Sequence, residues 1–560
     1  MTFRTSCSLL ALLGSFAAAQ GNPAIHVRLK PVMQDGVVSA VAVETRFDTD
    51  GAPLPPLTLS ETLGPLFHIA DRIGPLAAQD DAGPLTLTMS SGLRKTDDAT
   101  PLGANVRIWT PSRPTKGPVT LHYTAAVSHE MLPGPSWEVR AEARGVSAAG
   151  NTFLLLPDGD TKYHVTLNWD LSALPSGADA ISSLPPDAAQ KPVTTEALRS
   201  SYFMAGRLQR LPETGGPFHA ASTADTPYSQ MELLQWAGTA YGNMLTLFGP
   251  PQQHDFTVLL RGSQISRISG TELPGALMAT FMKDTPLSEV QNLAAHEMVH
   301  VFMGGLDPES WYEEGLAVSY QSRALFMTGM IDSNAYIADV NQTARTYYSN
   351  LRSDMPMKEA TASFWTDARA RLQSYVRGGL YMDLINAELR AKTGGKRTLD
   401  PVMHEFIAAR NAGQPVTVDA WLKLLARDLG PQVVADNTAM LAGKQLLLPS
   451  NAFGPCFKRV TEKMPAFELG FDMASLMQQP RVIKGLQAGS PAAQSGLKDG
   501  DKVVRATPLD TAQENAAENM TVAVERDGTV IEFHFAPRGR MLTGYQWVRR
   551  PGVAESRCRL

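Results

Sequence analysis

Residues 286–317 read PLSEVQNLAAHEMVHVFMGGLDPESWYEEGLA, and this stretch decides how the middle of the chain folds. Its first half predicts a helix from about Pro286 to Met303, because proline suits the first turn of a helix and the glycine pair after Met303 favours an end. His296 and His300 are four residues apart, so their imidazoles lie on one face of that helix. Two ring nitrogens at this spacing can bind one zinc ion at about 2.0–2.1 Å.

A third zinc ligand is expected from the second half of the stretch. A catalytic zinc site uses three protein ligands and keeps one position open. The segment WYEEGLA at 311–317 provides two glutamates, and we expect Glu314 to bind because it directly precedes Gly-Leu-Ala, with Glu313 as its competitor. Glu297 is expected to accept a proton from the attacking water and to return one to the leaving amine. The pattern predicts one Zn2+ per chain and a metallopeptidase; the alternative is a surface helix with solvated side chains.

The order H-E-x-x-H followed by W-x-x-E-G resembles the gluzincins, which have a thermolysin-like catalytic domain. Within them, the chain is similar to the glycyl aminopeptidase family, whose members carry a PDZ domain. The segment SYVRGGLYMDLINAELRAKTGGKRTLDPVM at 374–403 is similar to that family's Y-x-K-G stretch and to the segments that follow it, with Arg377 in place of the lysine. This match implies that Tyr375 donates a hydrogen bond to the tetrahedral oxyanion, a suitable place for a phenol. The alternative is a tyrosine packed within its helix.

A second part of the resemblance lies upstream of the zinc motif. The segment SGTEL at 269–273 lies where the family has G-G-L-E-H, with Ser269 for the first glycine and Leu273 for the histidine. The match implies that Gly270 and Glu272 contact substrate. Glu272 would bind the free N-terminal amine, the contact that makes such an enzyme an aminopeptidase. The resemblance also implies a peptide substrate with a small N-terminal residue, Gly or Ala.

The whole chain is expected to be multidomain. Residues 20–197 show short alternating runs between Pro, Gly and Asp, which predict an N-terminal β-rich domain, most simply a β-sandwich. Residues 198–445 change to helical periodicity, and the resemblance implies a thermolysin-like α+β, mainly helical, gluzincin catalytic domain there. Residues 446–560 return to strands and turns.

The last unit carries a specific motif of its own. Residues 481–505 read RVIKGLQAGSPAAQSGLKDGDKVVR and resemble the PDZ domains of bacterial-type proteases. The resemblance implies a PDZ-like domain, in which backbone N–H groups of Leu469, Gly470 and Phe471 would receive the C-terminus of a peptide. The alternative is a degenerate PDZ domain packed on the catalytic domain as a rigid part.

The first residues predict export. Arg4 supplies the positive charge of a signal peptide over 1–19, the apolar run Leu9–Ala19 is too short to span a bilayer, and an A-x-A site predicts cleavage near Ala19. No other stretch reaches about 18 apolar residues, so we expect no transmembrane segment and a periplasmic or secreted protein. Cys456 and Cys558 then remain, and an oxidising compartment favours a disulfide between them over two separate thiols.

The amino-acid composition excludes few classes of function. The 560 residues are 43% hydrophobic and 19% charged, with a formal net charge of -5, which is ordinary for a globular protein. The absence of basic clusters argues against nucleic acid as a partner. The preferred hypothesis is a zinc aminopeptidase that acts on peptides outside the cytoplasm. The alternatives are a zinc endopeptidase to which the PDZ-like domain presents substrates, and an inactive protein that binds partners through its PDZ-like and β domains.

Overall fold

The computed structural model describes residues 23–64, 66–94, 105–128, 137–212, 216–251, 255–264, 268–303, 310–517 and 519–558. The predicted signal peptide and its cleavage site near Ala19 lie outside these ranges. None of the helices within them is long and apolar enough to cross a membrane.

The N-terminal unit is rich in β-strands, as predicted. Its strands are β1 (Ala24–Gln34), β2 (Val37–Asp48), β3 (Leu57–Ser60), β4 (Ala77–Asp80), β5 (Gly83–Pro84), β6 (Leu87–Leu93), β7 (Asn105–Pro111), β8 (Val119–Ala126), β9 (Arg140–Glu142), β10 (Gly145–Ala149), β11 (Leu156–Pro157), β12 (Lys162–Trp169), β13 (Asp179–Ser182), β14 (Val193–Thr194) and β15 (Tyr202–Gly206), with helix α1 (Thr195–Arg199) before β15. Among the described residues they pair in the orders β14-β12-β1-β2-β8-β4-β5, β11-β3-β7-β6 and β13-β15-β10-β9. Apolar side chains from all these sheets share one core. The unit continues past residue 197, because β15 pairs with β10 and β13.

The middle unit combines a small sheet with a group of helices, as the change of periodicity predicted. Its strands are β16 (Gln209–Arg210), β17 (Phe218–Ser222), β18 (Phe256–Ser263), β19 (Ile268–Leu273) and β20 (Ala276–Met282). Its helices are α2 (Gln230–Phe248), α3 (Leu287–Met303), α4 (Ser310–Met327), α5 (Ser333–Tyr348), α6 (Met357–Ala362), α7 (Ala368–Thr393), α8 (Leu399–Asn411), α9 (Val418–Leu429) and α10 (Gln432–Leu441). The strand order is β16-β17-β18-β20-β19, so β19 lies at an edge.

Helices α4 and α7 cross with their backbones in direct contact. A Cβ atom on Gly315 would lie 2.6 Å from the carbonyl carbon of Gly378, and a Cβ atom on Gly378 would overlap the carbonyl oxygen of Trp311. Beside it, a Cβ atom on Gly379 would lie 2.6 Å from a methyl group of Val318. Since backbone atoms cannot rotate away as a side chain does, glycine is required where the helices meet.

Polar groups stabilise α7 on both sides of this crossing. Ser319 of α4 donates a hydrogen bond of 2.7 Å to the carboxyl group of Asp383 on α7. Burial raises the pKa of Asp383 to about 7. Arg377 is fully buried and donates to the carbonyl oxygens of Ser353 and Met355, both at 2.7 Å. Arg377 therefore satisfies carbonyl groups of a loop beside α7.

The N-terminal unit packs on the face of the middle sheet opposite the helices, because alternate residues of β18 and β20 belong to separate cores on either side. Arg261 of β18 is fully buried in this contact. It forms a 3.0 Å ion pair with Glu138 and donates a 2.9 Å hydrogen bond to Ser147. The hydroxyl of Tyr202 donates to the carbonyl oxygen of Thr271 on β19 at 3.0 Å. The N-terminal unit thus contacts the edge strand β19 on the side of the sheet opposite the helices.

The C-terminal module contains β21 (Phe457–Phe467), β22 (Lys502–Ala506), β23 (Met520–Arg526), β24 (Thr529–Phe535) and β25 (Arg538–Arg549), with α11 (Ala474–Met477), α12 (Pro491–Gln494) and α13 (Leu509–Glu514). Ser490 caps α12 by accepting a hydrogen bond from the N–H of Ala493, at 3.2 Å. The hairpin turn between β23 and β24 has positive φ at Asp527 and Gly528. The predicted disulfide between Cys456 and Cys558 is confirmed. It closes the module where the module meets the middle unit.

Gly378→Ala is expected to lower the free energy of unfolding by about 1–3 kcal/mol, because the new methyl group would overlap the backbone of α4. The matched control is Gly242→Ala in α2, where a Cβ atom would have no neighbour within 4 Å. Alanine at this second site should stabilise the helix by up to about 1 kcal/mol. Denaturant unfolding of both variants measures the difference, and equal stabilities would contradict the close crossing.

Candidate metal centre

The predicted metal ligands converge at one point between two helices. His296 and His300 lie on α3, and Glu314 lies in the first two turns of α4. Oε2 of Glu314 is 3.3 Å from Nε2 of His296 and 3.4 Å from Nε2 of His300. Among the described residues, no other group of His, Cys, Asp and Glu side chains has the geometry to hold a metal ion.

The charges around Glu314 and the two imidazoles favour the binding of a cation. Oε2 of Glu314 is buried and has no hydrogen bond of normal geometry among the described residues. Burial disfavours the charged form of His300, but the contact with Glu314 outweighs it and raises the pKa of His300 to about 10. Burial likewise disfavours the charged form of Glu314, but its contacts with His296 and His300 hold its pKa well below the ordinary value. A divalent cation can replace the protons that Glu314 attracts to the imidazoles.

A hydrogen-bonded chain orients one of the histidines. Nδ1 of His296 is 3.0 Å from Oε1 of Gln321, whose amide nitrogen donates to both carboxylate oxygens of Asp339, at 3.0 and 3.1 Å. Because an amide oxygen only accepts, Nδ1 of His296 carries a proton and its Nε2 is free to bind a metal. Sequence analysis missed this pair. Gln321 lies two turns after Glu314 on α4, a spacing that could have indicated it, whereas Asp339 comes from α5 and has no local signal.

Glu297 lies between the candidate ligands and strand β19. A Cβ atom on Gly270 would lie 2.6 Å from Oε1 of Glu297, so glycine is required for the carboxylate to occupy its place. Gly270, predicted to contact substrate, therefore also makes room for this carboxylate. Burial raises the pKa of Glu297, and the imidazoles of His296 and His300 oppose that rise. A carboxyl group in this position can act as a general base and then as a general acid.

Tyr375 reaches the same point from α7. Its ring lies nearly parallel to that of His296, with centroids 6.3 Å apart and an angle of 22° between the planes. Burial raises the pKa of Tyr375 well above its ordinary value, and the charge of Glu314 raises it further. The phenol therefore keeps its proton and can act as a hydrogen-bond donor.

Glu272 lies at the edge strand, within the field of the same groups. Burial raises the pKa of Glu272 to about 7, the charge of His300 opposes this, and the charges of Glu297, Glu313 and Glu314 add to it. The structure places the two neighbouring glutamates of α4 differently. Glu314 contacts both imidazoles, whereas Glu313 is not part of the candidate ligand group and its charge acts on Glu272.

The predicted carboxylate-binding loop belongs to the core of the C-terminal module. Leu469 and Phe471 are buried, and Gly470 has a φ of +81° and accepts a 2.7 Å hydrogen bond from the backbone of Gln487. Residues 468–473, all of which the structure describes, form no strand. Peptide addition in PDZ domains uses a strand edge beside this loop. Binding of a peptide C-terminus here stays a prediction.

No protein-family model and no curated protein matches the chain. Among solved structures, it is similar to an aminopeptidase N family protein from Idiomarina loihiensis, with a TM-score of 0.65, 15% identity, and coverage of 94% of this chain and 98% of that one. It is more distantly similar to an M1 zinc metallopeptidase from Deinococcus radiodurans, with a TM-score of 0.43, 18% identity, and coverage of 76% and 94%. For native yeast LTA4 hydrolase the TM-score is 0.43, the identity 14%, and the coverage 76% and 69%. At this identity, the first match shows a shared fold: a β-rich N-terminal region followed by a helical region.

Glu314→Gln is expected to weaken Zn2+ binding by more than about 100-fold, since loss of an outer-shell partner alone costs about 10- to 100-fold. Glu313→Gln makes the same chemical change one residue away and should leave the affinity within a few-fold of the wild type. Titration of the metal-free chain against a chromogenic chelator measures both affinities. An equal or larger loss in Glu313→Gln would transfer the ligand assignment to that residue.

Proposed function

We propose that this chain is a zinc-dependent aminopeptidase, which removes residues from the N-termini of peptides. The observation that carries the proposal is the convergence of His296, His300 and Glu314, with Glu297 and Tyr375 beside them. The fold shared with the aminopeptidase N family protein from Idiomarina loihiensis supports the same class of enzyme.

The donor set suits zinc in a catalytic site. Two imidazole nitrogens and one carboxylate oxygen match the His-His-Glu set of zinc peptidases, and they leave a position open. A zinc ion bound there supplies a Lewis acid for the scissile carbonyl group and lowers the pKa of water to about 7. We propose one such ion per chain. Gln321 keeps the proton of His296 on Nδ1, so that Nε2 is available as a ligand.

Glu297 and Tyr375 have complementary tasks in hydrolysis. The carboxylate of Glu297 accepts a proton from the attacking water and transfers it to the nitrogen of the scissile bond. The nitrogen then leaves as a neutral amine instead of an anion. Tyr375 keeps its proton and donates a hydrogen bond to the oxygen on which negative charge develops. Both groups belong to rigid elements, α3 and α7, which hold them in place before substrate binds.

Glu272 distinguishes an aminopeptidase from an endopeptidase. Its carboxyl group interacts with the charges of His300 and of the neighbouring glutamates, and a substrate ammonium group would offset the repulsion among these carboxylates. An internal peptide segment offers no such cation. The preference for Gly or Ala at the N-terminus rests on the resemblance to the glycyl aminopeptidases. Action outside the cytoplasm rests on the predicted signal peptide.

Hydrolysis of the naphthylamides of Gly, Ala and Leu, together with an N-blocked internal peptide, tests the proposal. We expect cleavage of the free Gly and Ala substrates, its loss with a chelator, and its recovery when Zn2+ is added. In Glu297→Gln, kcat should fall at least about 100-fold, as expected for loss of a general acid and base. Cleavage of the blocked peptide would indicate an endopeptidase. If the protein shows no turnover and contains no zinc, the proposal that it is an enzyme is wrong, and a binding protein is the remaining alternative.

Glu272→Gln is expected to lower kcat/KM for substrates with a free N-terminal amine by about 10- to 150-fold, because a hydrogen bond to a charged group contributes about 1.5–3 kcal/mol. Zinc affinity should stay near that of the wild type, since Glu272 is not a ligand. Glu232→Gln on the exposed face of α2 is the matched control and should keep full activity. Unchanged kinetics in Glu272→Gln would remove the amine-binding role.

A further inference from the structure

Helix α13 of the C-terminal module lies against two helices of the middle unit. Gln342 of α5 donates a 2.9 Å hydrogen bond to the carbonyl oxygen of Glu514. On the other side, the side chain of Gln513 donates to the carbonyl oxygen of Ala368, the first residue of α7, at 3.3 Å. The module therefore contacts α7, the helix that carries Tyr375, at the point where that helix begins.

The beginning of α7 also belongs to the module's own core. Ala368 has no exposed surface and packs in the same apolar cluster as Phe467, Leu509 and Ala512 of the module. A residue enclosed in this way cannot move without opening that core. The start of α7 is thus fixed from the C-terminal side of the molecule.

An ion pair joins α13 to α7 one turn before Tyr375. Nη2 of Arg371 lies 2.8 Å from both carboxylate oxygens of Asp510. The guanidinium group of Arg371 also lies over the ring of Phe364, 5.8 Å from its centroid. Residues four apart share a helix face, so Arg371 and Tyr375 point to the same side of α7. The charge of Asp510 also reaches the phenol, since it is among the groups that raise the pKa of Tyr375, after burial and Glu314.

Two anchors define where a rigid helix lies. One anchor of α7 is the glycine crossing with α4, three residues after Tyr375. The second anchor lies before Tyr375, where the C-terminal module holds α7 through the buried Ala368 and through the ion pair between Arg371 and Asp510. Both carboxylate oxygens of Asp510 accept from the same Nη2 of Arg371, and hydrogen bonds between charged groups are about twice as strong as those between neutral ones.

We propose that Asp510 is a positioning residue for catalysis: by binding Arg371 it holds the first turns of α7, and with them the hydroxyl of Tyr375, in the place from which it donates to the oxyanion. The C-terminal module then contributes to catalysis by determining the position of α7. This inference rests on the proposed function, because it assumes the role given to Tyr375.

The full-length, zinc-loaded Asp510→Asn variant tests the inference. A displacement of about 1 Å at a catalytic group can cost about 100-fold in rate, so we expect kcat to fall about 10- to 100-fold. KM should change little, because Tyr375 contributes only in the transition state. Glu532→Gln is the matched control: it breaks the ion pair with Arg505, which lies within the module, and should keep the kcat of the wild type. Arg371→Gln removes the other partner of the same ion pair and should lower kcat by a similar factor. Agreement between the two variants would show that the loss does not come from misfolding of one of them.

A double-mutant cycle separates positioning from general damage to the fold. In the Tyr375→Phe background, Asp510→Asn should have no further effect on kcat, because the group that it positions is gone. The exchanged pair Arg371→Asp with Asp510→Arg should recover part of the lost kcat. An unchanged kcat in Asp510→Asn, or an equal loss in both backgrounds, would overturn the inference.

Amide hydrogen exchange provides a readout that needs no activity. Exchange over residues 368–379 should be faster in Asp510→Asn than in the wild type or in Glu532→Gln. If the wild type shows no zinc-dependent hydrolysis, the proposed function fails, and exchange still decides whether Asp510 anchors α7. Unaltered exchange in Asp510→Asn would overturn the anchor itself.

Discussion

The contact between the backbones of α4 and α7 is the constraint on which the candidate site depends. Gly315 and Gly378 meet without side chains between them, and each lies next to a group of the site. Glu314 directly precedes Gly315, and Tyr375 lies one turn before Gly378. The separation of the carboxylate from the phenol is therefore determined by backbone contact, which varies less than contact between flexible side chains. Helix α3 then needs only to present its histidines to this pair.

The charges of the candidate site impose a second constraint on the fold. Carboxyl groups of Glu272, Glu297 and Glu314 are held close together with limited access to water, and burial raises the pKa of the first two. In a low-dielectric pocket, such charges repel each other strongly unless a positive charge lies among them. A cation bound among them would therefore stabilise this part of the molecule.

The units on either side of the helices both reach elements that carry site residues. The N-terminal unit supports β19 from behind through the hydrogen bond from Tyr202 to Thr271, and β19 carries Gly270 and Glu272. The C-terminal module holds the start of α7 through its core and through α13. The middle unit supplies the candidate ligands, and the neighbouring units determine how firmly the surrounding groups are held.

The sequence by itself determined the parts of this protein that depend on local periodicity. The placing of His296 and His300 on one helical face depends only on their spacing along a helix, which can be predicted without knowing what the helix packs against. The pairing of Cys456 with Cys558 followed from the small number of cysteines outside the predicted signal peptide. Only the tertiary structure decided which of two adjacent glutamates faces the histidines, since that depends on how α4 packs on α3.

It also decided the longer-range partners: Asp339 for Gln321, and Asp510 for Arg371, 139 residues away along the chain. The sequence contains no periodic signal for such pairs. They arise where different helices pack together, so their geometry depends on the whole core rather than on any one segment.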